Sequence, residues 1–364
     1  MSIEKTESLP RVAVVTVLYR CEKFMPGLLA SIAAVEYPRE RLELHLVDNG
    51  AGDGSLAAAR REIDRLGDRL PLVVIHEPGA NVGFAAGNNL ALRAVLARGV
   101  DYAFLLNPDA TFEPAALRAA VRVAEKTAEV GSVQSLLVLG NDPEVVNTSG
   151  NAIHFLGFGY VGGYLGARAS VTVEPRDIAF ASGACVLLPV PALERVGLFD
   201  ETLWLYHEDL DLGWRLRLAG LRNLIAPASV CRHHYEFSRA KSKWYWMERN
   251  RWIVVLKNYR LPTVLLLLPA LLIADVGLLL MAARAGWLGA KVRSLLWFLR
   301  PSAWRYLWRG RRAVARLRRV PDRELLRHFT AVIDYPDFRS PIVTRLVEPV
   351  WKVLLAILRA LVRW

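Results

Sequence analysis

The chain has 364 residues, enough for one large domain with an appendage or for two domains. It is 53% hydrophobic, with a mean hydropathy of +0.24 that is high for a freely soluble enzyme, and its net charge of +12 calls for an anionic partner: nucleotide phosphates, nucleic acid or a lipid surface. Three scattered cysteines without a CxxC pair exclude a disulfide framework and a cysteine-based zinc site, and the polar opening MSIEKTESLP has no signal-peptide pattern.

RVAVVTVLYR (11–20) predicts a buried strand, and the apolar spacing of residues 21–35 predicts a helix. LELHLVDNGAGDGS predicts a second strand and 56–67 a second helix. LPLVVIHEPG predicts a third strand, residues 81–99 a Gly-rich turn into a helix, and VDYAFLLNPDA a fourth strand. This alternation is the pattern of parallel α/β units, in which ligands sit at the carboxyl ends of the strands. Polar clusters stand at three such ends: Asp48-Asn49, Asn81 to Asn89, and Asn107-Pro108-Asp109.

Residues 131–166, rich in Gly, Asn and aromatics, read as loops and short strands, and 178–201 as another buried strand with a turn. LYHEDLDLGWRLRLAG (205–220) predicts a helix with an acidic first turn. Leu210, Leu212, Trp214, Leu216 and Leu218 form its buried side, Arg215 and Arg217 are solvated, and Asp211 pairs with Arg215. His233-His234 falls in an Arg-rich loop, either solvated or in contact with metal or phosphate.

The character changes after residue 260, which divides the chain into regions 1–260 and 261–364. Val264 to Ala283 has the length of a membrane-crossing helix but contains Pro269 and Asp275. From Arg284 to Arg319 there is no acidic residue, and Trp alternates with Arg and Lys; residues 350–364 form a second short amphipathic segment. This mixture suits helices lying in an anionic membrane interface, as a monotopic or single-span anchor; a soluble helical domain is the alternative.

Several of these positions suit chemistry on a nucleotide. Asp48 is placed to accept from a base or ribose, or to cap an Asx turn. The glycines of NVGFAAGNN permit close backbone approach to phosphate at a helix start, without the GKS/GKT or GxGxxG patterns of P-loop and dinucleotide enzymes. Asp109 suits either a turn or a divalent cation holding a diphosphate. The crowded carboxylates of 208–211 suit a general base whose pKa is raised by its neighbours.

In order and spacing, VVTVLYR, LHLVDNGAGDGS, NVGFAAGNN, FLLNPDA, SGACVLLP, GLFDETLWLYHEDLDLGWRLRLAG and CRHH resemble family 2 glycosyltransferases of the GT-A fold, particularly the rhamnosyltransferase-like branch, over residues 10–260. The resemblance implies a mainly parallel central sheet flanked by helices. It implies a nucleotide-sugar site of Thr16, Tyr19, Asp48, Asn49, Asn81, Gly83, Asn88, Asn107 and Asp109, with Asp48 reading the base. Asn107-Pro108-Asp109 stands where the family has its DxD motif, so Asp109 is the one carboxylate there. Asp109 with His233 is implied to hold Mg2+ or Mn2+. In the ED motif Asp209 is implied as the base, with Glu208 its rival, and Ser182, Gly183, Trp204 and Asp211 are implied on the acceptor side.

The expected activity is inverting transfer of a deoxyhexose such as rhamnose, or of a hexose, from a nucleotide-diphosphate donor to a lipid-linked or polysaccharide acceptor in cell-envelope glycan synthesis. A water-soluble donor site fused to a membrane-seeking tail places the work at the cytoplasmic face of the bacterial inner membrane, and the C-terminal helices suit self-association. A processive polysaccharide synthase is an alternative, but WRLRLAG and RNRW only echo its QxxRW motif. A nucleic-acid-binding protein using the Arg/Trp tail is another, but no recognised module accompanies the tail, so nucleic acid is not the expected partner. The third is a catalytically inactive scaffold.

Overall fold

The computed structural model describes residues 9–50, 52–234, 243–332, 341 and 343–364. Alternation in the first strand sets up the architecture. Along β1 (Val12–Leu18), Val12, Val14 and Leu18 face one core while Ala13, Val15 and Val17 face another, as period-2 geometry requires of a central strand. Three β–α units follow in the predicted order. α1 (Met25–Ala33) leads to β2 (Leu42–Asp48), α2 (Ser55–Leu66) to β3 (Leu72–His76), and α3 (Gly83–Ala97) to β4 (Tyr102–Leu106). β3-β2-β1-β4 are hydrogen-bonded in parallel, with Thr16 beside Leu46 and Leu18 beside Asp48.

The second half of the sheet is mixed. After β5 (Ala110–Phe112) and α4 (Ala116–Glu125), the chain forms β6 (Val130–Leu139), β7 (Asp142–Thr148), a small two-stranded sheet of β8 (Asn151–Ile153) and β9 (Gly159–Val161), and β10 (Arg176–Asp177). β11 (Cys185–Pro189), α5 (Val190–Val196), α6 (Glu208–Leu218) and β12 (Arg222–His233) complete the domain. The sheet order is β10-β12-β6-β11-β4-β1-β2-β3, with β5 on β12 and β7 on β6. α1, α2 and α4 bury one face of this sheet, and α3, α5 and α6 the other.

Three local expectations are corrected. Residues 131–166 contain the long central strand β6 rather than only loops and short strands. Its polar residues obscure the strand pattern, yet each is paired inside: Ser132 with Asn223, Ser135 with Ser229, and Gln134 with the Ser182 amide. Arg215 and Arg217 are buried rather than solvated, because α6 is covered on every side. Arg215 donates to Asp211 at 2.9 Å and to the carbonyls of Val196, Gly197 and Leu198, and Arg217 donates to Asp177 and the Ile178 carbonyl. His233 closes strand β12 and is buried, where an exposed loop was one expectation.

Beyond the sheet lie α7 (Lys243–Asn258), α8 (Leu261–Ala285), α9 (Leu288–Leu296), α10 (Pro301–Leu317), α11 (Asp322–His328) and α12 (Glu348–Leu361). They are not detached from the sheet and its helices. Trp214 of α6 meets Tyr259 and Phe329 edge-on, at ring-centroid distances of 4.8 and 4.7 Å, inside a core that also takes in Phe155, Leu267 and Trp351. Among the described residues α8 is the one helix long and apolar enough to cross a membrane. It buries Val264, Leu267, Leu271 and Asp275 on one face and exposes Leu261, Leu265, Leu268, Leu272 and Val276 on the other.

Candidate active site

The carboxyl ends of β1, β2 and β4 open on a cavity of about 380 Å³ lined by Tyr19, Arg20, Asn49, Asn81, Gly83, Asn107, Asp109 and Trp204. Asn49 ties its walls together: its side-chain amide reaches Asn81 Oδ1 at 3.2 Å, and its Oδ1 accepts from the Val82 amide at 2.8 Å. Asn81 Oδ1 also accepts from the Gly83 amide at 2.9 Å, fixing the first turn of α3. Gly83 is needed there for two reasons. Its φ is +86°, and a Cβ would fall 2.6 Å from the Trp204 indole. Trp204 therefore lies flat on the backbone of the turn.

Not every expected residue reaches this cavity. Thr16 is fully buried within β1, and Asn88 is buried in α3 with its amide on the Phe84 carbonyl at 2.9 Å; neither lines the wall. Asp48 stands at the end of β2, where its Oδ1 accepts from the Gly50 amide at 3.3 Å in an Asx-type turn, just behind the lining residue Asn49. Trp204, expected on the acceptor side, lines this first cavity.

Asp109 follows β4, and its backbone carbonyl is bonded to the His234 amide at 2.9 Å, which brings the end of β12 alongside. The imidazole Nε2 of His233 then lies 3.3 Å from Asp109 Oδ1, itself a buried oxygen without a hydrogen bond. The other imidazole nitrogen, Nδ1, donates to Asn147 Oδ1 at 3.0 Å. That bond leaves Nε2 as the ring nitrogen facing the carboxylate. Among the described residues no group of three or more His, Cys, Asp or Glu stands together to hold a metal ion, so the protein would supply at most these two ligands. The residues fit a divalent ion that takes one carboxylate, one imidazole and otherwise substrate oxygens and water. Asn147 carried no signal in sequence, since its partner lies on a different strand.

A second cavity, of about 220 Å³, adjoins the first. Trp204 and Leu205 line one and Tyr206 to Leu210 the other; likewise His234 lines the first and His233 the second. Ser182, Glu208, Asp209, Tyr160 and Met247 complete it. Asp209 Oδ2 accepts from the Gly183 amide at 3.2 Å and Oδ1 from Leu210 N at 2.7 Å, so the carboxylate is aimed by the backbone. Burial raises its pKa, partly offset by those amides. Glu208 is buried more deeply, its Oε2 has no hydrogen bond, and burial followed by the charge of Asp209 raises its pKa well above the carboxylate range. Both carboxyls are pushed toward the protonated form, Glu208 the further of the two.

Asp211 is placed elsewhere. It is fully buried behind the cavity, bonded to Arg215, Lys257 and Asn258, and those cations, acting against burial, hold its pKa near about 2. It braces α6 and lines neither cavity.

The segment joining the cavities is strained: Trp204, Tyr206 and His207 have φ values of 62°, 66° and 68°. Such conformations cost about 1–3 kcal/mol each and persist only where neighbours hold them. Asn250 of α7 supplies that hold. It is fully buried, and its Nδ2 lies 2.8, 3.1 and 2.7 Å from the carbonyls of Leu203, Leu205 and Tyr206. Arg249 adds a bond to the Thr202 carbonyl, and Trp246 stacks on Trp204 at 5.8 Å.

Known proteins resemble this chain in sequence and in fold. Residues 10–254 match the family described as glycosyltransferase like family 2. The N-acetylglucosaminyl-diphospho-decaprenol L-rhamnosyltransferase of Mycobacterium tuberculosis is 30% identical over 258 residues, covering 65% of this chain and 79% of that protein. Two solved structures share the fold at low identity. One is the mannosyltransferase PcManGT from Pyrobaculum calidifontis in complex with GDP-Man and Mn2+ (TM-score 0.52, 18% identity, 98% of this chain and 88% of that one). The other is GalNAc-T7 with UDP, GalNAc and Mn2+ (TM-score 0.55, 16% identity, 68% of this chain), of which this chain spans 48%.

Proposed function

The chain belongs to glycosyltransferase family 2, and from that premise we propose that it transfers a sugar, rhamnose favoured, with inversion, from a nucleotide-diphosphate donor to a lipid-linked saccharide acceptor in cell-envelope synthesis. The observation that carries this reading is the pair of adjoining cavities. One is built of strand ends with Asp109, the other holds a backbone-aimed carboxylate with a raised pKa, and the contact of Asp109 with His233, which lines the second, joins them. The acceptor class rests on the mycobacterial relative, which by its name acts on a diphospho-decaprenol-linked N-acetylglucosamine.

In this reading the nucleotide sugar occupies the strand-end cavity, with Asn49 and Asn81 holding the walls and Trp204 covering the Gly83 turn. Asp109 and His233 would hold a divalent cation, which when bound offsets the charge of the departing diphosphate. Asp209 takes the proton from the acceptor hydroxyl, whose oxygen attacks the anomeric carbon from the side opposite the diphosphate. The C–O bond to the diphosphate breaks and the configuration inverts. Protonated Glu208 leaves Asp209 as the single anion of the pair, so the base is not shared.

The C-terminal helices support docking onto an anionic membrane, at the cytoplasmic face where nucleotide sugars are made. The exposed apolar stripe of α8 continues in Leu288, Val292 and Leu296 of α9 and Val350, Val353 and Ile357 of α12, while α10 exposes Trp304 and Trp308 beside Arg305, Arg309 and Arg312. Asp275, the acid within α8, turns inward to Arg251 and Lys291 and accepts from Trp252 at 3.0 Å. A helix fastened lengthwise by its polar side, with its apolar side free, favours a helix lying in the interface over one that spans.

The test is a transfer assay with full-length protein, Mn2+ or Mg2+, rhamnose, mannose and N-acetylglucosamine donors, and a polyprenyl-diphosphate-linked N-acetylglucosamine acceptor. Transfer from one donor with inverted anomeric configuration is expected, and Asp209→Asn should slow it by about a hundredfold or more. A product that retains the donor's configuration, or no transfer from any donor, would overturn the proposal.

A further inference from the structure

A third cavity, away from both of those described, lies between the end of α7, the start of α8 and α10. It measures about 220 Å³ and is lined by Lys257, Arg260, Trp308, Arg311, Arg312 and Arg318. That is below the roughly 300 Å³ at which pockets for drug-sized ligands begin.

The charges of this cavity do not cancel. Lys257 is engaged by Asp200 and Asp211, and Arg318 by Asp322 at 2.7 Å. Arg311 donates to the carbonyls of Leu256 and Tyr259 but meets no carboxylate, and the exposed side chains of Arg260 and Arg312 have neither hydrogen bond nor ion pair among the described residues. Burial, and then the adjacent Arg318, work against the charge on Arg311; Arg260 adds to the load on Arg318. Arg260 and Arg312, without a carboxylate partner among the described residues, and Arg311, which Asp322 offsets only from beyond ion-pair distance, bring forked donors around one concavity that match the oxygens of a phosphate.

The rim supplies the second half of the recognition. Arg260 is followed directly by Leu261 and, one turn on, Leu265, which are 57% and 59% exposed, and Trp308 is 65% exposed. The cationic cavity thus opens where the apolar stripe of α8 begins, with an indole at the boundary, as at the headgroup level of a bilayer.

We propose that this cavity binds the phosphate of an anionic glycerophospholipid, held by Arg260, Arg311 and Arg312, with the acyl chains running over Leu261 and Leu265 beside Trp308. The inference rests on the membrane-docking reading above, which it sharpens from a general attraction to a defined headgroup site.

The test compares full-length wild type, Arg260→Gln/Arg312→Gln and Arg305→Gln/Arg309→Gln by flotation on vesicles of phosphatidylcholine alone or with one part in three phosphatidylglycerol. The two double variants remove equal charge, the second from exposed arginines of α10 outside the cavity. Wild type should bind the anionic vesicles about tenfold or more tightly than the neutral ones, given the contribution of each arginine near a charged surface. The cavity variant should lose most of that preference and the control variant several-fold less of it, with neutral binding unchanged in both. Equal losses in the two variants would mean a diffuse field and overturn the site while leaving membrane docking intact; no binding to either vesicle would overturn both. A thermal-shift arm separates lipid from free anion. Short-chain phosphatidylglycerol below its micelle concentration should raise the Tm of wild type but not of the cavity variant. An equal shift with inorganic phosphate would overturn the assignment to lipid.

Discussion

Asp209 and Glu208 are consecutive in sequence and unlike in surroundings. Asp209 has two backbone amides to stabilise its charge, whereas Glu208 has burial and an anionic neighbour. Glu208→Gln, an isostere of the protonated acid, should therefore keep kcat within a few-fold, whereas Asp209→Asn should lower it by about 10²–10⁴, the usual worth of a positioned base. Steady-state kinetics decide, and the reverse ranking would make Glu208 the base. The pH dependence of activity follows from the same surroundings. Because the base works ionised and its pKa is raised, the acidic limb of kcat/KM should lie above the ordinary carboxylate value of about 3.9. Stability is affected by Glu208 in the opposite direction. A carboxyl whose folded pKa lies above its unfolded one favours the fold while protonated and loses that contribution as pH rises through the folded pKa. Wild-type stability should thus decline toward alkaline pH, and urea titrations of Glu208→Gln should show that decline reduced. Asp211 has the other sign. With its pKa held near about 2, its ion pairs stabilise the fold above the ordinary carboxylate range and are lost as pH falls toward that value. Asp211→Asn should cost about 3–5 kcal/mol at neutral pH, as expected when one partner is removed from a buried network.

Helix α7 deserves its place through what it joins. One side fastens the strained 203–207 segment through Asn250, and the other holds α8 and α9 through Arg251, Glu248, Asp275 and Lys291. Asn250→Ala should lower kcat by about 10–100-fold, since the segment it holds sets both Trp204 and the base, and small misplacements at a reacting centre carry that size of effect. Donor KM should rise with it, and Asn250→Asp, which keeps one oxygen but no donor, should not rescue. An unchanged kcat would show that the segment holds its conformation alone. At this scale the sequence was legible where pattern and structure share a period. The four parallel strands and three helices of residues 12–106 stand where alternation and turn residues predicted them. β6 was not legible, because Ser132, Gln134 and Ser135 look solvent-facing until their partners on β12 and the 182–184 turn are known. Arg215 and Arg217 were misplaced for the same reason: a charged residue reads as exposed unless the carbonyls that receive it are seen. Of the residues implied for the donor, Tyr19, Asn49, Asn81, Gly83, Asn107 and Asp109 line one cavity, while Thr16 and Asn88 are buried behind it.

At the scale of the whole molecule, the sheet with its two adjoining cavities and the C-terminal helices with the exposed apolar stripe of α8 share one core. Trp214 lies in that core, so the helix that opens with Glu208 and Asp209 is seated on the C-terminal helices. Charging the apolar stripe with Leu265→Glu/Leu272→Glu should move the protein from the membrane fraction to the supernatant while leaving its Tm close to wild type, because both side chains are exposed. Persistence in the membrane fraction would place the anchor elsewhere. The hydropathy and the Arg/Trp tract made a set of C-terminal helices with exposed apolar residues legible in the sequence; the inward turn of Asp275, which depends on Arg251 and Lys291 of other helices, was not. The most direct test of the account is a thermal-shift panel of UDP, GDP, dTDP and CDP with and without Mn2+, on wild type, Asp109→Ala and Asp209→Asn. One nucleotide should stabilise wild type and Asp209→Asn in a metal-dependent way, by about 2.7 kcal/mol at a hundredfold excess over Kd, and leave Asp109→Ala unmoved. No shift with any nucleotide, or a full shift in Asp109→Ala, would contradict a donor site at the ends of these strands.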